Sequence, residues 1–268
     1  MRHTVSDPTD VRIEPYRSVR ERDLVGRQDR FIAEGEVVLR VLLSQSRFEV
    51  ESLLIGENRI DSLAELLAGI PAEIPVYVAG RPVMDAIVGF PIHRGVLALG
   101  RRGPEKEPAD FLARLPRRAL VVGLVGLANH DNVGGIFRNA AAFGADAVLL
   151  DGESCDPLYR KAIRVSVGGA LRVPFLRVPH ATDMVRLLRE AGFDVIALSP
   201  AGSLRLSEVR RAPRTAVLLG AEGPGLPQEV LQETRTVTIP MSGGFDSLNV
   251  ATTSGIVLHH LSQPDATE

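Results

Sequence analysis

The sequence predicts an α/β protein with two parts: a small N-terminal α/β unit and a larger C-terminal unit built on a parallel sheet. Short apolar runs alternate with helix-like segments along most of the chain. After residue 118 these runs are apolar throughout, as in strands covered on both faces. A charged, proline-containing linker at residues 102–118 separates the two patterns. We therefore expect a doubly wound sheet with a site at the carboxyl ends of its strands.

The N-terminal part divides into an arm and a compact unit. Residues 1–23 mix charges with prolines and lack a hydrophobic period, which predicts an extended arm with one helical turn. Its arginines suit RNA contact, but the interleaved acids favour a solvated or dimer-contacting arm. Residues 24–101 then alternate between helix-like and strand-like segments. The predicted helices are 36–43, 62–67 and 83–87, and the predicted strands are 50–55, 76–79 and 96–99.

The C-terminal part, residues 119–268, follows the linker, in which one helical turn is expected at 109–115. A polar loop is expected at 128–135, and Gly144 should occupy the C′ position of the helix that follows. The predicted strands are 120–127, 147–150, 173–178, 195–198, 216–219 and 237–239, and the predicted helices are 136–143, 158–167, 182–191 and one that begins at Ser247.

Composition limits the class of protein. The chain has 268 residues, 45% of them hydrophobic, and a formal net charge of -2. That charge excludes a protein that coats nucleic acid by bulk positive charge, so any RNA contact must be local. The single cysteine, Cys155, cannot form an intramolecular disulfide, and no segment resembles a signal peptide or a membrane span. These features predict a cytoplasmic protein.

The common nucleotide and hydrolase motifs are missing from the sequence. It contains no GxxxxGK[ST], HExxH, CxxC or GxSxG, and no GxGxxG follows the strand that ends at Leu127. ATPase, dehydrogenase, zinc protease and serine hydrolase functions are therefore excluded. No metal site is expected, because His259 and His260 have no carboxylate or cysteine at ligand spacing.

Two predicted strands, 216–219 and 237–239, end in glycine- or proline-rich loops that lead into helices. Loops with several glycines let the backbone approach a ligand closely, and this pair carries little charge. Asn249 is expected in the first turn of the last helix, where free N–H groups and short polar side chains share one space. The sequence therefore predicts a binding site for a small molecule at these loops.

Three motifs stand out in the C-terminal part: NxGxxxRxAxxFG at 132–144, LLGAEGPGL at 218–226 and IPMSGGFDSLNVATTSGI at 239–256. In order and spacing they resemble the motifs of the SpoU/TrmH class of RNA ribose 2′-O-methyltransferases in the SPOUT superfamily. The resemblance implies S-adenosylmethionine-dependent methylation of a ribose 2′-hydroxyl in structured rRNA or tRNA, a trefoil knot in the C-terminal part, and a homodimer. Segments 31–43 and 93–100 are similar to an L30e-like domain, which implies RNA docking by residues 24–101.

The resemblance also implies roles for single residues. Arg138 matches the motif arginine that is often assigned as the general base. Because a guanidinium does not release its proton at neutral pH, activation through a substrate phosphate or stabilisation of the developing alkoxide is physically easier. The other implied catalytic residues are Asn132, Glu222, Ser247 and Asn249, and the implied cofactor-binding residues are Leu219, Gly220, Ile239, Met241 and Leu248. For Ser247 and Asn249 the alternative role is helix capping, which needs only one of them.

RNA contact is expected at a basic segment around an SVGGA stretch, which resembles the family's substrate-side loop. The basic residues are Arg160, Lys161, Arg164 and Arg172. An ordinary charged helix face is the alternative explanation. Two other functions remain open: a non-catalytic RNA-binding or ribosome-assembly factor that retains the fold, and a base methyltransferase. The full set of motif residues argues against the first, and the SLN triplet at 247–249 argues against the second.

Overall fold

The computed structural model describes residues 2–17, 24–26, 28–88, 95–243 and 247–263. The chain forms two compact units. The first combines Met1–Pro104 with Leu158–Arg172, and the second combines Glu105–Pro157 with Val173–Glu268. The boundary near residue 104 falls inside the predicted linker. The segment Leu158–Arg172, which the sequence analysis placed in the C-terminal part, instead packs with the first unit.

The first unit is built on a mixed five-stranded sheet. Its strands are β1 (Arg2–Val5), β2 (Arg30–Glu34), β3 (Glu49–Gly56), β4 (Val76–Ala79) and β5 (Val96–Arg101), in the order β1-β4-β3-β5-β2. Strands β1, β4 and β3 run parallel, and β5 is antiparallel to both β3 and β2. Its first helices are α1 (Glu36–Ser44), α2 (Ala64–Ala68) and α3 (Arg81–Val88). The predicted helices and strands of this region are confirmed, whereas β1 and β2 were not predicted.

The N-terminal residues belong to this sheet, so the prediction of an extended arm is wrong for residues 2–17. Strand β1 pairs with β4, and a 3₁₀ helix at Val11–Tyr16 buries Ile13 and Tyr16 in the core. The Tyr16 hydroxyl lies 2.7 Å from Ser52 Oγ in a buried hydrogen bond. A four-residue strand and one short turn are too brief to show a hydrophobic period. Arg20 and Arg22 lie outside the described residues.

The segment Leu158–Arg172 contains two short helices, α6 (Arg160–Val165) and α7 (Gly169–Arg172), in place of the single predicted helix. The break occurs at Val167 and Gly168, whose φ angles are 54° and 84°. A Cβ on Gly168 would lie 3.0 Å from Val41 Cβ, so close packing against α1 requires glycine there.

The second unit is built on a seven-stranded sheet in which every described pairing is parallel, as predicted. The strands are β6 (Ala119–Val125), β7 (Ala147–Leu150), β8 (Phe175–Arg177), β9 (Asp194–Leu198), β10 (Leu204–Arg205), β11 (Arg214–Gly220) and β12 (Arg235–Thr238). Their order in the sheet is β10-β12-β9-β11-β6-β7-β8. Strand β10 has only two residues and was not predicted, because the segment that contains it resembles a basic loop in sequence.

The helices of the second unit are α4 (Pro108–Ala113), α5 (His130–Ala142), α8 (Ala181–Glu190), α9 (Gln228–Gln232) and α10 (Val250–Ser262). Two predicted boundaries are wrong. Helix α5 begins at His130, inside the expected loop, with Asn129 as its N-cap, and α10 begins at Val250 with Asn249 as its N-cap. The glycine pair at 134–135 resembles a loop in sequence but lies inside α5. Gly144 has a φ of 69°, as its predicted C′ position requires.

The linker helix α4 is an integral part of the second unit. Leu112 is fully buried in the hydrophobic cluster that covers the sheet. Arg214 Nη2 donates a 2.6 Å hydrogen bond to the Leu112 carbonyl, and its guanidinium stacks over the Phe193 ring at 4.5 Å. A cationic side chain thereby satisfies backbone carbonyls at the helix end.

The strand order places a topological switch point beside β11. Strand β6 is followed in sequence by β7 on one side, whereas β11 pairs with β9 on the other. All described strand pairs of the second unit are parallel, so the carboxyl ends of its strands meet at one edge, where such sheets bind ligands. The trefoil knot and the L30e-like character of residues 24–101 stay predictions.

Candidate active site

A cavity of about 600 Å³ opens at the carboxyl ends of β9, β11 and β12. Its lining includes all the residues predicted to bind a cofactor, namely Leu219, Gly220, Ile239, Met241 and Leu248. Glu222, Ser247 and Asn249 also line it. The structure thus brings residues of the motifs at 218–226 and 239–256 together around one cavity, at the N-terminal end of α10.

The loop after β11 is shaped by backbone-to-backbone contact. A Cβ on Gly220 would lie 2.4 Å from the Gly225 carbonyl carbon and 2.5 Å from Leu226 N. The Gly225 N–H donates a 3.0 Å hydrogen bond to the Ala221 carbonyl, which closes the loop on itself. Gly223 and Gly225 have φ angles of 90° and 71°. Only glycine fits at Gly220, and the loop therefore presents bare backbone to the cavity.

One wall of the cavity was not predicted from the sequence. Leu198 ends β9, Ser199 and Pro200 follow it, and all three line the cavity beside Val237. Gly202 brings this loop against β12, because a Cβ there would lie 2.4 Å from the Val237 carbonyl carbon. The available signal was the Ser-Pro-Ala-Gly turn after a buried parallel strand, at the edge where the other loops were expected.

A hydrogen-bonded network joins three of the predicted catalytic residues. Asn249 Nδ2 donates to Asn132 Oδ1 at 2.9 Å and to Glu222 Oε1 at 3.0 Å. Asn249 Oδ1 accepts from the backbone N–H groups of Ala251 and Thr252 at 3.0 and 3.2 Å. Because the N–H groups of α10 need an acceptor, the carboxamide oxygen of Asn249 must face the helix, and its two amide protons then face Asn132 and Glu222. Asn249 is therefore a helix cap and also a bridge across the site.

The three network residues differ in their exposure. Asn132, in the first turn of α5, is only 5% exposed, whereas Glu222 and Asn249 are open to solvent at the cavity. The network thus anchors a solvent-facing carboxylate to a buried amide. It also lies at the N-terminal end of α10, where the helix dipole favours negative charge on a bound group.

Arg138 does not line the cavity. It lies on α5, is exposed, and makes no hydrogen bond or ion pair with any residue in the described ranges. The next residue, Asn139, faces α10 instead and contacts it directly. The arginine therefore belongs to the outer face of the helix whose first turn carries Asn132.

The predicted RNA-binding residues all lie in the first unit. Arg160 Nε is 3.7 Å from Glu34 Oε2, and the Glu34 side chain is only 7% exposed, so this arginine is held against a buried carboxylate. Lys161, Arg164 and Arg172 are exposed. Three of the four cations are thus accessible to a polyanion, and the fourth anchors α6 to β2.

The described residues offer neither a metal site nor a reactive cysteine. Among the described residues no cluster of histidine, cysteine, aspartate and glutamate could hold a metal ion. Burial, with a contribution from Asp156, raises the pKa of the Cys155 thiol to about 12, so this cysteine is not a nucleophile at neutral pH. No described helix combines the length and apolarity needed to cross a bilayer.

Comparisons with known proteins agree with this geometry. The model of the SpoU rRNA Methylase family matches residues 119–259. An uncharacterized tRNA/rRNA methyltransferase of Mycobacterium bovis is 41% identical over 95% of this chain and 90% of its own length. The 23S rRNA (guanosine-2′-O-)-methyltransferase RlmB of Escherichia coli is 27% identical over 84% of this chain and 94% of its own.

A solved structure shares the fold over nearly the whole chain. It is the AdoMet-bound rRNA methyltransferase from Sinorhizobium meliloti, with a TM-score of 0.81 and 24% identity. The match covers 97% of this chain and 97% of that protein. The α/β architecture predicted from the sequence is therefore confirmed.

Proposed function

Because the chain belongs to the SpoU rRNA methylase family, we propose that its cavity binds S-adenosylmethionine and that the Asn132–Asn249–Glu222 network positions the acceptor ribose. The protein is an RNA 2′-O-ribose methyltransferase that uses this cofactor, as the motifs predicted. The alternative of a non-catalytic RNA-binding factor is not favoured. One observation carries the proposal. The side chains of Asn132 and Glu222 both accept hydrogen bonds from the Asn249 carboxamide, beside a cavity lined by several glycines.

The cavity suits the cofactor in size and chemistry. A volume of about 600 Å³ lies within the range of small-molecule sites. Leu219, Ile239 and Leu248 offer apolar walls for an adenosyl group, and the backbone around Gly220 offers hydrogen-bonding groups at close range. When bound, S-adenosylmethionine supplies a methyl group on a positively charged sulfur. The protein then has to align the attacking oxygen and manage one proton.

The network is proposed to hold the 2′-hydroxyl. Asn249 restrains one oxygen of the Glu222 carboxylate, which leaves the other oxygen able to accept a hydrogen bond from the sugar. The N-terminal end of α10 stabilises negative charge that develops on the attacking oxygen. Ser247, which also lines the cavity, is proposed to contact the same group.

Arg138 is proposed to act on the RNA side of the site. Its guanidinium is exposed and outside the cavity lining, so it is accessible to a substrate phosphate. This position supports activation through a substrate phosphate rather than proton abstraction by a group that stays protonated. We further propose a homodimer that uses the outer face of α10, where Ile256 is 39% exposed, and a cytoplasmic location.

RNA docking is proposed for the exposed cations Lys161, Arg164 and Arg172 of the first unit. An rRNA or tRNA substrate fits the names of the relatives, one of which acts on a guanosine of 23S rRNA.

The test of the proposed function is to incubate the protein with labelled S-adenosylmethionine and total RNA from a strain that lacks this gene. We expect label on ribose 2′-hydroxyls after nuclease digestion. Absence of label, or label on a base, would refute the proposed function.

A further inference from the structure

The residue that follows Arg138 makes direct contact with α10. Asn139 Nδ2 donates to the Ala251 carbonyl at 2.7 Å and to Ser254 Oγ at 2.9 Å. Ser254 is fully buried, and its hydroxyl donates to the same Ala251 carbonyl at 2.7 Å. The carboxamide of Asn139 therefore binds two groups in the first turn and a half of α10. Neither the motif comparison nor the proposed chemistry gives this residue a role.

The two helices touch at this point through small residues. A Cβ on Gly135, one turn before Asn139, would lie 2.7 Å from Ala251 Cβ. A Cβ on Gly255 would lie 3.3 Å from Asn139 Nδ2. Gly135 leaves no room for a methyl group and Gly255 leaves little, so the two helices lie close together where Asn139 makes its hydrogen bonds.

The same helix faces carry the active-site network. Asn132, Gly135 and Asn139 are spaced three and four residues apart on α5, so they lie along one face. They meet Asn249, Ala251 and Ser254 in order along α10. We call this line of contacts the α5–α10 seam. At its far end the Phe143 and His259 rings pack edge to face with centroids 5.7 Å apart.

The seam determines whether Asn249 reaches its partners. One residue of sliding along a helix moves a side chain by about 1.5 Å, which is enough to break a hydrogen bond. Asn249 Nδ2 contacts Asn132 and Glu222 at 2.9 and 3.0 Å, so a shift of α10 would open both bonds. Asn139 faces α10, whereas the adjacent Arg138 lies on the exposed face of α5.

We propose that Asn139 is a positioning residue for methyl transfer, acting through the register of the α5–α10 seam rather than by contact with RNA or cofactor. The inference rests on the proposed role of the Asn132–Asn249–Glu222 network. If it is correct, Asn139 and Asn249 act as one unit, and the loss of either removes the same contribution to turnover.

The test is a double-mutant cycle with Asn139→Ala and Asn249→Ala, measured as kcat on total RNA from a strain that lacks this gene. We expect Asn139→Ala to lower kcat at least about tenfold. In the double variant we expect no greater loss than in Asn249→Ala alone. The control is Val148→Ala, a fully buried change in β7 that is expected to lower stability and to leave kcat within about twofold.

A second variant approaches the same contact from α10. Gly255→Ala places a methyl group 3.3 Å from Asn139 Nδ2 and so disturbs the Asn139 carboxamide. Alanine also stabilises a helix relative to glycine, so the variant is not expected to destabilise α10 itself. We expect lower kcat without a lower melting temperature, a combination that simple destabilisation cannot give. Wild-type kcat in both Asn139→Ala and Gly255→Ala, or losses that add to that of Asn249→Ala, would overturn the proposal.

The wild-type protein in the same assay tests the proposed function separately. If it transfers no methyl group, the proposed function fails, and the positioning claim is decided by a crystal structure of the Asn139→Ala variant. Separation of Asn249 Nδ2 from Asn132 Oδ1 and Glu222 Oε1 beyond hydrogen-bonding distance would support the claim. Both hydrogen bonds intact in the variant would refute it.

Discussion

The two sheets of the molecule differ in strand direction and in how well the sequence predicts their strands. In the parallel sheet of the second unit, the loops after β9, β11 and β12 meet at one edge and form a single cavity. In the mixed sheet of the first unit, β1, β2, β3 and β4 share one direction and, of the described strands, β5 alone runs against them. A fully parallel sheet brings the loops after all its strands, and with them distant sequence motifs, to one edge.

The largest effect is expected from Gly220→Ala in the second unit. The added methyl group would collide with backbone atoms of Gly225 and Leu226, so the loop must shift into the cavity. We expect affinity for S-adenosylmethionine, measured by calorimetry, to fall at least about 100-fold. The control is Gly26→Ala in the first unit, where no atom of the residues that the structure describes lies within 4 Å of the added carbon. Equal affinity in both variants would contradict the idea that this loop forms the cofactor site.

The next effect is expected from Asn249→Asp, which retains an oxygen for the cap but loses both bridging protons. We expect a kcat lowered about 100-fold, because the variant loses the bridging donor and places a second carboxylate against Glu222. The matched control is Asn129→Asp, the same change at the N-cap of α5, outside the cavity lining. Loss of kcat in both variants would show that capping, not bridging, is what matters.

A smaller effect, confined to the first unit, is expected from Glu34→Gln. The buried carboxylate is the partner of Arg160, and its neutralisation removes the ion pair. We expect the free energy of unfolding in denaturant to fall by about 1–3 kcal/mol, with unchanged cofactor affinity. The control Arg40→Gln breaks an exposed pair with Glu36 and should cost at most about 0.5 kcal/mol. A change in cofactor affinity would show that the two sheets are not functionally separate.

The smallest effect is expected from Tyr16→Phe, which leaves Ser52 without its buried partner. We expect a loss of about 1–2 kcal/mol in the free energy of unfolding. The control is Tyr77→Phe, because the Tyr77 hydroxyl has no hydrogen bond to any residue that the structure describes. If Tyr16→Phe were silent, β1 and the 3₁₀ turn would be peripheral to the first unit, as the expectation of an extended arm implied.

The sequence predicted the strands of the second unit better than those of the first, because burial leaves a local pattern and distant pairing does not. Apolar runs such as Leu149 and Leu150 in β7 are visible because both faces of the strand are covered. Strand β1, by contrast, has four residues and pairs with β4 more than seventy positions away, and no local pattern encodes such a partner. The packing of Leu158–Arg172 with the first unit is equally non-local.

Within the candidate site, residue identities were easier to predict than local structure. The motifs identified Asn132, Glu222 and Asn249, which the structure joins in one network. They did not show that Asn132 lies in a helix, because Gly134 and Gly135 resemble a loop until the closeness of α10 is known. Nor does a motif show that Arg138 faces outward while Asn139 faces the seam.

A crystal structure of the protein with S-adenosylmethionine tests the central claim most directly. We expect the cofactor in the cavity of the second unit, in contact with Leu219, Ile239 and Leu248, and the Asn249 carboxamide still bridging Asn132 and Glu222. A cofactor bound elsewhere on the chain, or an Asn249 carboxamide turned away from both partners when the cofactor is present, would contradict it.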